Sequence, residues 1–456
     1  MTKKLLSIVM LVLVLCMLIA LGNSVQAANL EAKTPTQETI DGKVFVFANG
    51  TPITIESRAD GQDGATIKWG ENGTMDVPAD ANIFGGGHEE DGVYASSSIV
   101  MNGGTVKTVF AGGLHKSHVA TGNIVVNSGT IKNYVQGGGA SSFSGTTCHK
   151  PWYKGNQEGA TTVVDNTTIV INGGNMFGVF GGGEGIASTK NVEVTVNGGT
   201  ITYLCAGGTN GYTNNATVKV TAGEVRIMQG VNRGSVDSIE AEVTGGTIEN
   251  LYVVGDSSDS TVTGTVSSVK VDVAGDAIVE NLLPGTNGGT EVTPDTTGIE
   301  TAVSYNKENV QNIDTSKFAQ TSLTKYVNVK INNNTYRLEE GKTLEDLDLS
   351  DVKEVEGKNF VKFVVAGTTT EFDETKAITE DIALSAVYED KVVTPEEKPD
   401  KEDTKTEEPS KETEEKEEAE EKDDTPKTGV IDVTVYAVLT ATIAVAGIAV
   451  ARKMKK

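Results

Sequence analysis

Histidines and acidic residues near the start of the chain have the types and spacing that could bind a metal ion. When the Gly-Gly phrases of the chain are aligned, His88 falls opposite Leu114 and Glu89 falls opposite His115, with His118 close by. Imidazole and carboxylate groups about 5 Å apart on paired strands suit a transition metal. We therefore predict a candidate metal site formed by His88, Glu89, His115 and His118. The alternative is a row of polar loop residues.

A segment at positions 141–160 has residues that could bind a sugar. It is inserted into one unit of a repeat and contains His149, Trp152 and Tyr153. An insertion in a repeat protein usually forms a loop on one face, often the binding face. Because an aromatic ring can pack on a sugar while its polar neighbours bond to hydroxyls, these three residues form a candidate ligand-binding loop. The alternative is a Trp152 side chain that packs back onto the repeats.

The cysteines do not form a recognisable catalytic group. Cys148 and His149 are sequence neighbours whose side chains point apart in an extended chain, and no third group is evident to orient them. Cys205 occupies the repeat position of Phe110 and Val135, which predicts a core residue. A disulfide between Cys148 and Cys205 is an alternative to a core role for Cys205. It would require both sulfur atoms to lie on the same side of the repeat wall.

The charged residues do not suggest an enzyme. Enzymes that hydrolyse glycosidic bonds use paired carboxylates, but such pairs alone are weak evidence of activity. The densest charged group forms no repeating column and consists of Arg226, Arg233, Asp237, Glu240 and Glu242. We therefore predict no catalytic residues and no enzyme activity, and apart from the candidate metal ion we predict no cofactor. A surface polysaccharide lyase or glycoside hydrolase is the alternative.

The overall composition is acidic and rich in glycine. The chain has 456 residues, a formal net charge of −25 and 52 glycines. A polyanion repels the phosphates of nucleic acid, so we expect no nucleic-acid partner. With 3 cysteines in the chain, a disulfide scaffold and most structural zinc modules are excluded. The length allows two or three domains.

Most of the glycines belong to a repeat that predicts the main fold. Phrases related to Asn-Gly-Gly-Thr begin at Asn102, Asn127, Asn172 and Asn197, with weaker copies at Thr221, Thr244 and near Val273. A β-branched run precedes each phrase and a second strand follows it, while glycine suits the tight corner between them. The pattern predicts an all-β fold with a parallel β-helix, or β-solenoid, at residues 81–300. It resembles the Gly-Gly-rich parallel β-helices of bacterial surface proteins. A β-sandwich array is the alternative.

Two shorter β regions flank the repeats. Residues 28–80 contain strand-like runs at 44–47, 53–55 and 66–69 and are predicted to cap the open edge of the first repeat. Residues 320–390 contain four more, at 326–331, 335–338, 361–365 and 382–388. The phrases that begin at Gly341, Gly357 and Ile378 resemble the internalin-type B repeat, a small β-grasp-like domain of Gram-positive surface proteins. That resemblance implies a spacer or adhesion module without chemistry.

The first 27 residues have the order of a secretory signal peptide. Lys3 and Lys4 precede an apolar run at 5–21, and Val25-Gln26-Ala27 is a small-x-small cleavage site. We therefore expect a secreted protein whose mature chain starts at Ala28. An uncleaved membrane anchor is the alternative.

The last 32 residues have the order of a cell-wall sorting signal. The phrase consists of Thr425, Pro426, Lys427, Thr428 and Gly429. An apolar run at 433–451 follows, long enough for a transmembrane helix, and a basic tail closes the chain. This order resembles the sorting signal of the L-P-x-T-G family of Gram-positive cell-wall proteins. The resemblance implies that a sortase cuts after Thr428 and joins the chain covalently to peptidoglycan. A plain single-pass anchor is the alternative.

An acidic stalk is predicted at residues 391–424. Between 396 and 424 there are 16 acidic and 6 basic residues and no aromatic side chain, so this segment cannot bury enough apolar surface to order itself.

The order of all these segments along the chain predicts a wall-anchored, adhesin-like protein on the surface of a Gram-positive bacterium. Its ligand would be a glycan or a host or neighbour-cell surface component. A purely structural role in the wall is a further alternative.

Overall fold

The fold is all-β, as the sequence predicts. The computed structural model describes residues 29–88, 92–141, 162–185, 187–255, 264–287, 290–291 and 299–391. Within these ranges the only α-helix is α1 (Ser350–Lys353), and short 3-10 turns span Lys307–Asn309, Thr315–Lys317, Gln320–Ser322 and Leu344–Asp346. None of the helices in the described ranges has the length and apolar character needed to cross a membrane. The predicted signal peptide, the predicted stalk beyond Lys391 and the predicted sorting signal lie outside the described residues.

The strands fall into three consecutive groups. The first group is β1 (Asn29–Leu30), β2 (Thr36–Ile40), β3 (Lys43–Phe47), β4 (Ile53–Glu56), β5 (Ala65–Trp69), β6 (Gly73–Val77) and β7 (Asn82–Phe84). The repeats contain β8 (Gly92–Val106), β9 (Thr108–Phe110), β10 (Ser117–Gln136), β11 (Val163–Ile171), β12 (Asn175–Phe180), β13 (Ser188–Cys205), β14 (Tyr212–Val231), β15 (Ser235–Val243), β16 (Thr247–Gly255), β17 (Val266–Val273), β18 (Ile278–Leu283), β19 (Thr286–Asn287), β20 (Thr290–Glu291), β21 (Glu300–Asn306) and β22 (Val310–Ile313). The last group is β23 (Leu323–Ile331), β24 (Asn334–Glu339), β25 (Lys358–Val365) and β26 (Ile382–Asp390). The strands predicted in the first and last groups are confirmed, and β1, β2, β6 and β7 are additional.

Equivalent strands of successive repeats pair in parallel. One ladder runs through β8, β10, β11, β13, β14, β15, β17 and β21. A second runs through β9, β10, β12, β13, β14, β16, β18 and β22. Their inward side chains form one buried apolar core. Because alternate residues of a strand face opposite sides, the β-branched runs of the sequence supply this core from both ladders.

The Asn-Gly-Gly phrases and the related Asn127-Ser128-Gly129 lie at bends, and the glycine at the third position of each has a positive φ. The angle is 80° at Gly104, 105° at Gly129 and 88° at Gly199, a backbone conformation that residues with a Cβ rarely adopt. The prediction that strands end at these phrases is wrong for several repeats. The strand continues through the bend in β8, β10, β13 and β14, with an irregular register between neighbours at that point.

Asparagine side chains form a ladder along these bends. The amide of Asn127 donates to Asn102 Oδ1 at 2.8 Å, Asn172 donates to Asn127 at 2.8 Å, and Asn197 donates to Asn172 at 3.0 Å. Thr221 closes the row with a hydroxyl that donates to Asn197 Oδ1 at 2.8 Å. The phrase therefore repeats asparagine for a hydrogen bond between repeats as well as glycine for the bend.

A small second core lies under the first corners. Phe47, Phe84 and Phe110 stack on one another, with ring centroids 5.5 Å apart for the first pair and 4.5 Å for the second. All three are buried, and Leu114 and Ala140 pack against the same group. The first corners therefore cover a small apolar column of their own.

The C-terminal group of strands has its own core and continues the pairing of the repeats. β23 pairs in parallel with β21 and β26 and antiparallel with β24, and β25 pairs antiparallel with β26. Arg337 fastens this group to the last repeats through an ion pair with Asp272 and a 2.6 Å bond to Asn306 Oδ1. Within the group, its guanidinium lies 4.1 Å above the Tyr326 ring. The C-terminal group therefore covers the edge of β21 in the last repeat, whose unpaired backbone groups would otherwise recruit other strands.

Two carboxyl groups meet where this group joins the repeats. Asn328 Nδ2 donates to Glu308 Oε1, and the backbone N–H of Asn328 donates to Asp381 Oδ1 at 2.8 Å. Partial burial raises the pKa of Glu308, and the negative charges of Asp381 and Asp276 raise it further. The folded state therefore holds the Glu308 proton more tightly than the unfolded state does.

A pH-dependent stability follows from this pKa. Because the folded pKa of Glu308 lies above the unfolded one, the stability that the proton confers is present below pH about 4.3 and is lost as the pH rises through the raised pKa. Glu308→Gln is expected to raise the free energy of unfolding at pH 7 by about 0.5 kcal/mol, and to change it little at pH 3.5. Thermal melts at both pH values check this, with exposed Glu354→Gln as control. A Glu308→Gln variant that is less stable than the native chain at pH 7 would contradict it.

Candidate ligand-binding face

Two of the four predicted metal ligands lie together. The parallel bridge between His88 and Leu114 confirms the predicted register, and the His88 and His115 rings are 5.5 Å apart. His88 Nδ1 lies 2.9 Å from a carboxylate oxygen of Glu38, and its ring stacks on Phe47 at 5.1 Å. Glu38 belongs to the N-terminal hairpin, outside the repeat, so no sequence spacing pointed to it. His88 thus joins that hairpin to the first corner.

The other two predicted ligands do not complete the site. His118 Nδ1 accepts a hydrogen bond from the backbone N–H of Val163 at 2.9 Å, and Glu89 lies outside the described residues. Among the residues that the structure describes, no three histidine, cysteine or acidic side chains are arranged to hold a metal ion. The four-residue metal site therefore stays a prediction.

Residues 142–160 of the predicted ligand-binding loop also lie outside the described residues, and with them His149, Trp152 and Tyr153. Its flanks are described. The backbone N–H of Ser141 donates to the carbonyl of Glu184 at 3.2 Å. The insertion therefore leaves the repeats beside Glu184, a residue that also borders the aromatic group described next.

Three aromatic side chains from successive repeats form a partly exposed group that we call the aromatic strip: Tyr134, Phe177 and Tyr203. The ring centroids of Tyr134 and Phe177 are 6.0 Å apart, and those of Phe177 and Tyr203 are 5.2 Å apart. Phe177 is 45% exposed, while both tyrosines are half-buried. Exposed phenylalanine between two tyrosines is a feature that ligand-binding surfaces use.

Strand register and one glycine produce the strip. Tyr134 pairs with Gly178 and Gly178 with Tyr203, on strands whose next residues face the core. A Cβ on Gly178 would lie 2.5 Å from the ring of Phe180 and 3.0 Å from that of Tyr134. Glycine therefore leaves room for Tyr134 to pack edge-on against Phe180, with centroids 5.2 Å apart. Phe177 projects from the position just before this glycine.

Polar side chains border the strip. Burial raises the pKa of the Tyr134 hydroxyl, and the negative charge of Glu184 raises it further. The positive charge of Arg233 acts in the opposite direction. Gln136 Nε2 lies 3.4 Å from the Glu184 carboxylate, and the Thr209 hydroxyl lies 3.5 Å from Gln136 Oε1. The border thus contains hydrogen-bond donors and acceptors, and the tyrosine hydroxyl stays neutral near pH 7.

Cys205 is a core residue, as predicted, but one of its predicted equivalents is wrong. The buried column contains Phe110, Gln136, Phe180 and Cys205, whereas Val135 belongs to the neighbouring column. Burial raises the pKa of the Cys205 thiol to about 12, so the thiolate that nucleophilic chemistry requires is scarce at neutral pH.

The strip was not predicted from the sequence, and comparison with known proteins adds no ligand to it. Its three residues belong to different repeats, and an insertion separates the first from the second, so their spacing gives no signal. No family model, no curated protein and no solved structure matches the chain.

Proposed function

We propose that this chain is a wall-anchored, adhesin-like surface protein that binds a glycan or another surface component of a host or neighbouring cell. The observation that supports this function best is the aromatic strip, where Phe177 is 45% exposed between two tyrosines. A soluble protein that exposes such a group beside charged and amide side chains has a surface suited to a partner with both apolar and hydroxyl-rich faces.

The architecture that we propose for the repeats is a parallel β-helix. Two parallel ladders around one apolar core support it, together with glycine bends that recur in step with the Asn-Gly-Gly phrases. In such a rod each repeat contacts its neighbours, so side chains at equivalent positions form rows along the rod. Tyr134 and Tyr203 occupy equivalent positions of this kind, and Phe177 lies one residue before the equivalent position in the repeat between them. The strands at 323–390 would serve as a B-repeat-like spacer between rod and stalk.

Display on the cell wall is proposed from the two ends of the sequence. The signal-peptide pattern at 1–27 would direct secretion, and the phrase from Thr425 to Gly429 would be the sortase substrate. The acidic stalk would then hold the repeats away from the wall, because like charges extend such a segment.

Anchoring and adhesion can be tested on the same cells. When the full chain is expressed in a Gram-positive bacterium, we expect digestion of the cell wall to release it together with peptidoglycan. We also expect the chain to make these bacteria adhere to surfaces coated with glycans or with host-cell components. Thr428→Ala removes the residue at which the sortase would cut, so at least a tenfold loss of wall-linked protein is expected. Immunoblots of wall, membrane and medium fractions measure this, with Thr425→Ser as the mild control. Cells that adhere no better than cells without the chain would contradict the function.

A further inference from the structure

We infer that the aromatic strip binds a neutral, linear glycan whose chain runs along the direction in which the repeats stack, about one sugar residue per repeat. This inference rests on the proposed function and names its ligand class. The site consists of Tyr134, Phe177 and Tyr203, which no motif in the sequence assigns.

The direction of the ligand follows from the positions of the rings. Tyr134, Phe177 and Tyr203 belong to β10, β12 and β13, which pair in parallel in that order. Their centroid spacings of 6.0 and 5.2 Å are close to the separation of paired strands, about 4.8 Å. The strip therefore runs across the strands, and a ligand that contacts all three rings must extend across three repeats.

The tilt of the rings favours a chain of separate sugar rings over a flat fused ligand. Neighbouring rings are inclined by 51° and 59° to each other. A flat polycyclic ligand can stack on one such ring but not on its neighbours. Successive sugars of a linear glycan are rotated about their linkages, so each can present its C–H face to a different ring.

The polar side chains at the border of the strip favour a ligand that is neutral and rich in hydroxyl groups. The border includes the carboxylate of Glu184 and the guanidinium of Arg233, whose opposite charges both act on Tyr134. A hydroxyl can donate to the first and accept from the second, so a ligand rich in hydroxyls suits both. Because the charges of Glu184 and Arg233 oppose each other and more distant charges are screened, the border offers no net positive charge to hold a polyanionic glycan, whereas a neutral glycan needs none.

The test is a titration of the purified full chain by calorimetry. An array of neutral linear glycans selects the best backbone, and oligosaccharides of that backbone are then compared by length. Affinity is expected to rise from one to three sugar residues and then level off, because three rings are available. Phe177→Ala is expected to weaken binding of the trisaccharide about tenfold or more, the loss typical of an exposed aromatic anchor, while Phe177→Trp retains it.

The matched control is Ile278→Ala. Ile278 is 43% exposed on β18, in a later repeat of the same ladder, so its truncation removes a similar apolar side chain away from the strip. It is expected to leave affinity unchanged. Circular dichroism of each variant checks that the fold is retained.

Several results would overturn the inference and leave the proposed function standing. The first is that the native and Phe177→Ala chains bind the glycan with equal affinity, and the second is that the affinity does not depend on oligosaccharide length. The third is that cells displaying the chain adhere although the purified chain binds no neutral linear glycan. The last result would point to a different surface ligand. Loss of cell adhesion as such would instead overturn the proposed function, so the two failures are distinguishable.

Discussion

A Phe84→Ala variant is expected to lose about 3–5 kcal/mol of unfolding free energy, the range for a fully buried phenylalanine. Phe84 is completely buried between Phe47 and Phe110, and its ring is nearly parallel to that of Phe110 at 4.5 Å. Alanine would remove both ring contacts and leave a cavity beneath the first corners. Urea denaturation of the two chains measures the difference.

The same truncation at an exposed site is the control for Phe84. Phe177→Ala removes an identical side chain that is 45% exposed, so its cost in stability is expected to be about 1 kcal/mol or less. A Phe84→Ala chain as stable as the Phe177→Ala chain would contradict the packed phenylalanine stack.

Gly181→Ala is expected to cost about 1–3 kcal/mol, the range for a methyl group forced into a packed core. A Cβ at Gly181 would lie 2.3 Å from the carbonyl oxygen of Ala206 and 2.6 Å from Val192 Cγ1. The backbone of Gly181 does not have a positive φ, so the cost arises from crowding between repeats. Urea denaturation of native and variant chains checks this.

The Val192 side chain accounts for part of the crowding at Gly181. Gly181 faces Val192, whereas the next repeat has Ala206 and Ala216 at the register-equivalent positions. Adding Val192→Ala to Gly181→Ala would therefore reproduce a combination that the protein already accommodates. The double variant is expected to lose less stability than the sum of the two single losses. Strict additivity would contradict direct contact between these positions.

The register at the corners shows what the repeat phrases predict well. His88 opposite Leu114 was predicted from the Gly-Gly alignment and is confirmed. The assignment of Val135 to the Cys205 column was wrong because Val135 precedes a run of three glycines, Gly137 to Gly139, that permits two alignments. A slip of one residue moves a side chain to the other face of a strand, so Gln136 takes that place.

Contacts between distant parts of the chain explain the rest of what was missed. Glu38 reaches His88 from a hairpin outside the repeat, where no periodicity connects the two residues. The aromatic strip depends on Gly178, whose missing side chain leaves the space that the Tyr134 ring occupies. A glycine among 52 gives no sign in the sequence that it shapes a surface. Such features require the register of particular strands to be known.

The most direct test of a binding role is to incubate the purified full-length protein with neutral linear glycans. Two quantities are measured together: how much protein the glycans retain, and how many new glycan ends are formed. We predict that the native chain is retained, that Phe177→Ala weakens retention, and that no new reducing or unsaturated ends appear. New chain ends would show that the protein cleaves polysaccharide, and would contradict the account of a non-catalytic adhesive surface.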